Sequence, residues 1–262
     1  MPDMTPLDDA HRALSARPDD PAARLAYYHR LAASELCLLL EEEPEGNALA
    51  PRILDLSDGP IVLAFDGEER LADFTDGPVP YAALPGRVIV AQLAGQGIGL
   101  GINLGDEGHA FLMPATAVDW LAGVLAQAPM PAPARPTGWA APAEPSLAAV
   151  LSDRLAGLGA LAAQGWLAGA FGDDGQPMQI LVLEDPAEGA EDALAKAAAE
   201  ALAFSSADPA AHSVLFLSGT ECRALCLPLL AAPVTLSRPA APPEPAAPQA
   251  PGSDPDRPPR LR

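Results

Sequence analysis

Basic side chains are scarce in this 262-residue chain. Fifteen lysines and arginines face 35 aspartates and glutamates, and Lys196 is the single lysine. The formal net charge of −20 argues against nucleic acid and anionic membrane surfaces as partners, because both require clustered cations. The deficit of cations is spread along the chain: residues 1–127 carry 20 acids against 7 bases, and residues 145–235 carry 11 against 3. Cysteine is equally sparse. Cys37, Cys222 and Cys226 are an odd set, too few for a disulfide framework. Cys222-x-x-x-Cys226 lacks the two-residue spacing of zinc and redox pairs; on a helix the two thiols would share one apolar face. Long apolar runs are missing too. LCLLL (36–40) and IVLAF (61–65) fall far short of the roughly 18 residues that a spanning helix needs. The opening MPDMTPLDDAHRAL has neither the basic nor the apolar region of a secretion signal, and a cytoplasmic protein is expected. Aromatic residues are 5% of the chain, so the cores are expected to rest on Leu, Val and Ala.

Signatures of nucleophilic catalysis are also wanting. Ser218-Gly219 lacks the G-x-S-x-G frame of a nucleophile elbow, and the four histidines do not assemble a triad on paper. The stretch AGQGIGLGINLGDEG (94–108) has six glycines in fifteen residues. Its spacing is G-x-G-x-G-x-G, however. Ile102 and Leu104 stand where a dinucleotide fingerprint would place its third glycine, and no Gly-Lys-Ser/Thr follows. Ile98, Leu100, Ile102 and Leu104 alternate with period two, which predicts one face of a strand. The opposite face carries Gly97, Gly99, Gly101 and Asn103, where another backbone, a helix or a ligand can approach closely. These four residues are the candidate ligand-binding set. Asn103, Asp106, Glu107 and His109 form a polar cluster beyond it that is also ordinary turn chemistry. No metal site, cofactor or catalytic residue is expected.

Two Pro-rich segments divide the chain. Residues 128–145 (APMPAPARPTGWAAPAEP) read as a semi-stiff linker. Residues 236–262, with nine prolines in 27 residues, read as a disordered tail that cannot offset its ordering entropy. Between them the pattern predicts two α+β domains, 1–127 and 146–235, each with a mixed β-sheet packed by helices. Thr5-Pro6-x-Asp8 and Asp20-Pro21 open two helices, and Tyr27, Tyr28 and His29 lie in the second. ELCLLLEE (35–42) reads as a buried strand. RILDLS and PIVLAF form a hairpin around Asp58-Gly59. Asp66 with Glu69, Thr116 with Asp119, and Asp185 with Glu188 read as capping pairs. GRVIVAQLAG (86–95) fits either period and is read as a helix between Pro85 and Gly95, and HAFLMP is a strand. In the second half, SLAAVLSDRLAGLGAL is helical, WLAGAF, MQILVLE and SVLFLSG are strands, and CRALCLPLL fits either state.

In this order the pieces resemble a known family. DPAARLAYYHRLAASELCLLL, DGPIVLAFDGEERLADF and PYAALPGRVIVAQLAGQGIGLGINLGDEGHAFLMPATAVDWL are similar to the N-terminal domain of the SseB family, named for an enhanced-serine-sensitivity phenotype. WLAGAFGDDGQPMQILVLEDP and the helix after it look like the C-terminal domain that accompanies it. The resemblance implies no established enzymatic activity, cofactor or catalytic residue, and its domain label is tied to type III secretion by name. The expected function is therefore non-catalytic binding to an unknown protein partner. The alternative is a sensor for an amino acid or related metabolite, with its site beside Gly97, Gly99, Gly101 and Asn103.

Overall fold

The computed structural model describes residues 4–43, 49–75, 77–106, 108–127, 136–205 and 212–236. Proline at the first turn opens α1 (Pro6–Ala16) and α2 (Pro21–Ala33). The Thr5 hydroxyl accepts the Asp8 N–H while the Asp8 carboxylate accepts the Thr5 N–H, and Asp20 accepts the Ala22 N–H. Both starts are as the sequence predicts. The first half continues through β1 (Glu35–Leu39), β2 (Ile53–Leu56), β3 (Gly59–Phe65), α3 (Glu68–Thr75), β4 (Tyr81–Pro85), α4 (Gly86–Leu93), β5 (Gly99–Ile102), β6 (Phe111–Met113) and α5 (Ala115–Leu125). In the predicted hairpin Ser57 and Asp58 make the turn and Gly59 opens β3 at φ +121°, a conformation that glycine reaches without strain.

The first sheet runs β4-β1-β3-β5-β6, with β2 also on β3. The β3–β5 pair is parallel and the other neighbours are antiparallel. Alternation divides its side chains. Leu36, Leu38, Val62, Ala64, Leu100 and Ile102 pack under α1, α2, α4 and α5. Cys37, Leu39, Ile61, Leu63 and Phe65 face the other way, toward Leu71 of α3.

The second half comprises β7 (Gly138–Ala140), α6 (Leu147–Arg154), a 3-10 turn (Leu158–Ala160), β8 (Gln164–Phe171), β9 (Pro177–Glu184), α7 (Glu191–Ala203), β10 (His212–Leu217), α8 (Gly219–Ala224), α9 (Leu227–Leu230) and β11 (Ala232–Val234). Its sheet runs β10-β9-β8-β11, with β7 on β8, and the β9–β10 pair, joined through α7, is parallel. One face packs on α6 and α7 through Leu167, Leu181, Leu183 and Val234, and the other on α8 and α9 through Ala168, Val182, Cys222 and Leu227. The molecule is α+β with two mixed sheets packed by helices. Among the described residues no helix is long and apolar enough to cross a membrane.

Several local expectations are corrected. Residues 138–140, within the stretch read as linker, form β7, because the edge of β8 offers them backbone partners; residues 128–135 and 237–262 lie outside the described residues. Asp66 does not cap α3: its carboxylate is taken by the Thr5 hydroxyl and the Arg70 guanidinium. Asp119 accepts the Gly95 N–H at 2.8 Å, and α5 starts after Pro114 without a side-chain cap. Asp185 sits at φ +48° and accepts the Gly219 N–H at 2.9 Å, so α7 begins only at Glu191. Ser218 and Glu221 form a capping box for α8 instead. The two C-terminal cysteines do not share a face: α8 ends at Ala224, which leaves Cys222 buried and Cys226 exposed at φ +56°. Tyr27 and Tyr28 are both buried.

The halves meet through α7. Phe204, just beyond its end, is fully buried in the first core, against the rings of His29 and Trp120. Arg87 of α4 donates to both Glu200 carboxylate oxygens at 3.0 and 3.3 Å.

Candidate functional site

The predicted glycine face is a packing surface. A Cβ on Gly99 would lie 2.7 Å from the Met113 carbonyl oxygen, and one on Gly101 would lie 2.7 Å from Leu104 Cδ1 and 2.8 Å from Leu63 Cδ2. Gly97 is exposed at a turn with φ +71°. Asn103 is buried at φ +50°. That left-handed residue ends β5 and breaks the period. Leu104 therefore crosses to the Gly101 side rather than joining Leu100 and Ile102. Gly97, Gly99, Gly101 and Asn103 thus do not converge on one open groove.

Asn103 instead belongs to a buried polar knot. Its N–H donates to the Ala64 carbonyl at 3.0 Å, its carbonyl accepts the Asp106 N–H at 3.1 Å, and its side-chain oxygen accepts the Asp66 N–H at 3.1 Å. This places the β5–β6 turn on the β3–α3 junction. Beside it Arg70 of α3 donates to Asp8 Oδ1 and Oδ2 at 2.9 and 2.7 Å and to Asp66, and its Nε lies 3.5 Å from Asp106. His109 Nδ1 is 2.9 Å from Asp106, and Nε2 is 3.7 Å from Asp8. Glu107, the fourth member of the predicted cluster, lies outside the described residues. Arg70 and Asp8 are nearly inaccessible. A buried charge holds its place only when it is paired and hydrogen-bonded, and one guanidinium here serves carboxylates from three segments distant in sequence. Burial works against the Asp8 carboxylate. Its bonds from Arg70 and the Thr5 N–H nevertheless outweigh that and hold its pKa below the ordinary value.

A cavity of about 250 Å³ opens beside the knot, lined by Phe65, Arg70, Asp73, Phe74, Asn103 and Asp106. Among the described residues Arg70 Nε has no hydrogen-bond acceptor. Among the described residues, no group of three His, Cys, Asp or Glu side chains is arranged to hold a metal ion. The participation of Asp8, Asp66 and Arg70 was not read from the sequence. The available signal was three acids and an arginine at otherwise solvated positions, and it becomes a site only once α1, α3 and the β5–β6 turn are brought together.

The knot falls almost entirely within a recognisable stretch: residues 7–120 match the family described as SseB protein N-terminal domain. The chain carries an SseB N-terminal domain. The domain contains Asp8, Asp66, Arg70, Asn103, Asp106 and His109, with Thr5 just ahead of its first matched residue. The match ends at Trp120 in α5, before the second sheet begins. Comparison with curated proteins and with solved structures returned no match.

Proposed function

We propose that this chain is a non-catalytic, cytoplasmic binding protein whose SseB N-terminal domain receives an apolar segment of a protein partner between β2 and α4. The observation that carries this reading is a groove of about 320 Å³ lined by Leu38, Leu49, Ile53, Val62, Val88 and Leu93, among others. Leu49, Ile53 and Val88 remain exposed at its rim. Contiguous apolar surface at the edge of a sheet favours a docked partner over solvent. Residues 1–127 carry a net charge of −13, which suits a segment flanked by basic side chains. The three free thiols suit a reducing compartment. Photo-crosslinking groups at positions 53 and 88 of the full chain test this. A partner captured at both positions should lose at least tenfold in affinity for Ile53→Asp and Val88→Asp proteins of unchanged thermal stability. Unaltered binding by both variants, or no reproducible crosslink, removes the reading.

A second reading is favoured by the cavity beside Asn103. Its mixture of Phe65 and Phe74 rings with Arg70, Asp73 and Asp106 suits a small metabolite such as an amino acid. Saturating ligand at a hundred times Kd would stabilise the fold by about 2.7 kcal/mol. A flat thermal-shift screen across amino acids and nucleotides would count against it.

A further inference from the structure

In a chain so poor in cations, one crevice concentrates them. Between α2 and α4 of the first half and α6 and α7 of the second lies a cavity of about 330 Å³, lined by His29, Arg87, Arg154, Lys196 and Glu200 among small apolar side chains. Arg87 is matched by Glu200. Arg154 and Lys196 make no ion pair among the described residues. The Arg154 Nη1 atom is shut off from solvent and has no acceptor among the described residues; burial lowers the pKa of this guanidinium, and the adjacent charge of Asp153 opposes part of that shift. A dry guanidinium donor without an acceptor costs the full desolvation of that group, and an incoming anion would relieve it. The positive field extends across the crevice: burial first, then Arg154, Arg30 and Arg87, drives the His29 imidazole down to about 4.

We propose that this crevice binds a small soluble dianion with terminal oxygens, either a phosphate monoester or a dicarboxylate. The charge is set by Arg154 and Lys196, the two lining cations without an ion pair among the described residues, and the guanidinium fork suits both oxygen geometries. The size is set by the cavity and by the net charge of −20, which repels polyanions and anionic membranes over long range. Because both halves contribute walls, the ligand would also clamp α7 against α2 and α4. The site is separate from the apolar groove and from the cavity beside Asn103.

The test uses the full chain with inorganic phosphate and with succinate, each against sodium chloride at matched ionic strength. One or both should raise the melting temperature and move the His29 imidazole NMR titration upward from its midpoint of about 4; which one does so distinguishes the two ligand types. Lys196→Met, at an exposed position, should weaken the effective anion at least tenfold, and Arg154→Met should abolish its effect without lowering the ligand-free melting temperature. If Arg154→Met does not fold, Lys196→Met with the His29 readout still decides. Responses no larger than those to chloride, or responses that persist in Lys196→Met, would overturn the proposal.

Discussion

The Asn103 side-chain oxygen accepts the backbone N–H of Asp66 at 3.1 Å, and so joins the end of β5 to the start of the β3–α3 connection. One amide therefore satisfies a part-buried donor 37 residues away, just beyond the end of β3, while its own backbone stays at φ +50°. Two costs are separable. Asn103→Gly keeps the left-handed conformation and loses only the acceptor, a penalty of about 1–3 kcal/mol. Asn103→Ala adds left-handed strain of about 1–2 kcal/mol. Urea unfolding should rank wild type above Gly above Ala; an alanine variant as stable as the glycine variant would remove the strain term.

Arg70 is held by both Asp8 and Asp66, with Asp106 at 3.5 Å. Arg70→Met should cost about 3–5 kcal/mol near neutral pH, because it strands buried carboxylates. The pH dependence has a definite sign. The Asp8 pKa is lower in the folded chain than the ordinary value of an aspartate, which the unfolded chain takes. Its stabilising contribution is therefore complete above about pH 5 and declines as pH falls through the unfolded value toward the folded one. The gap between wild type and Arg70→Met should narrow over that acidic window in pH-resolved denaturation. A gap that stays constant to pH 2 would show that Arg70 acts through packing alone.

Gly99 and Gly101 both lack room for a Cβ, but their neighbours differ. At Gly101 the obstacles are the ends of the Leu104 and Leu63 side chains, which can rotate; at Gly99 the nearest is the Met113 carbonyl in the β5–β6 pairing. Gly101→Ala should cost about 1–3 kcal/mol, as overpacking does, and Gly99→Ala more. Thermal unfolding of the two variants gives the order directly, and the reverse order would contradict the packing described for β5.

Phe204 belongs by sequence to the second half and by packing to the first. Its truncation to Ala should cost about 3–5 kcal/mol. Trp120, whose ring lies 6.4 Å from Phe204, should shift its fluorescence to the red. Calorimetry should then resolve two transitions where wild type shows one. A single undiminished transition would mean that the halves are held together elsewhere.

Most elements of the fold were legible because they depend on neighbours in sequence. The proline-opened α1 and α2, the β2–β3 hairpin and the alternation of β1 and β3 all follow from local sterics and period. The capping pairs at Asp66, Asp119 and Asp185 were misread because each carboxylate has a better partner distant in sequence: the Thr5 hydroxyl, the Gly95 N–H and the Gly219 N–H. Leu104 was assigned to the wrong face because period two holds only while the backbone stays extended, and Asn103 does not. Asn103 and Asp106 were singled out correctly as belonging together. Arg70, the cation that unites them with Asp8 and Asp66, carries no local signature.

By itself the sequence determined the acidic character of both halves, the α+β composition and the order of blocks that marks the SseB N-terminal domain. These are sums and patterns along the chain, and folding does not change them. Only the tertiary structure decided that the glycines of β5 are filled space, that three carboxylates share Arg70, and that Arg154 and Lys196 meet His29 across the two halves. Burial and charge pairing depend on distances through space. Residues as far apart as Asp8 and Arg70, or His29 and Lys196, acquire a common chemistry only when the packed cores bring them together.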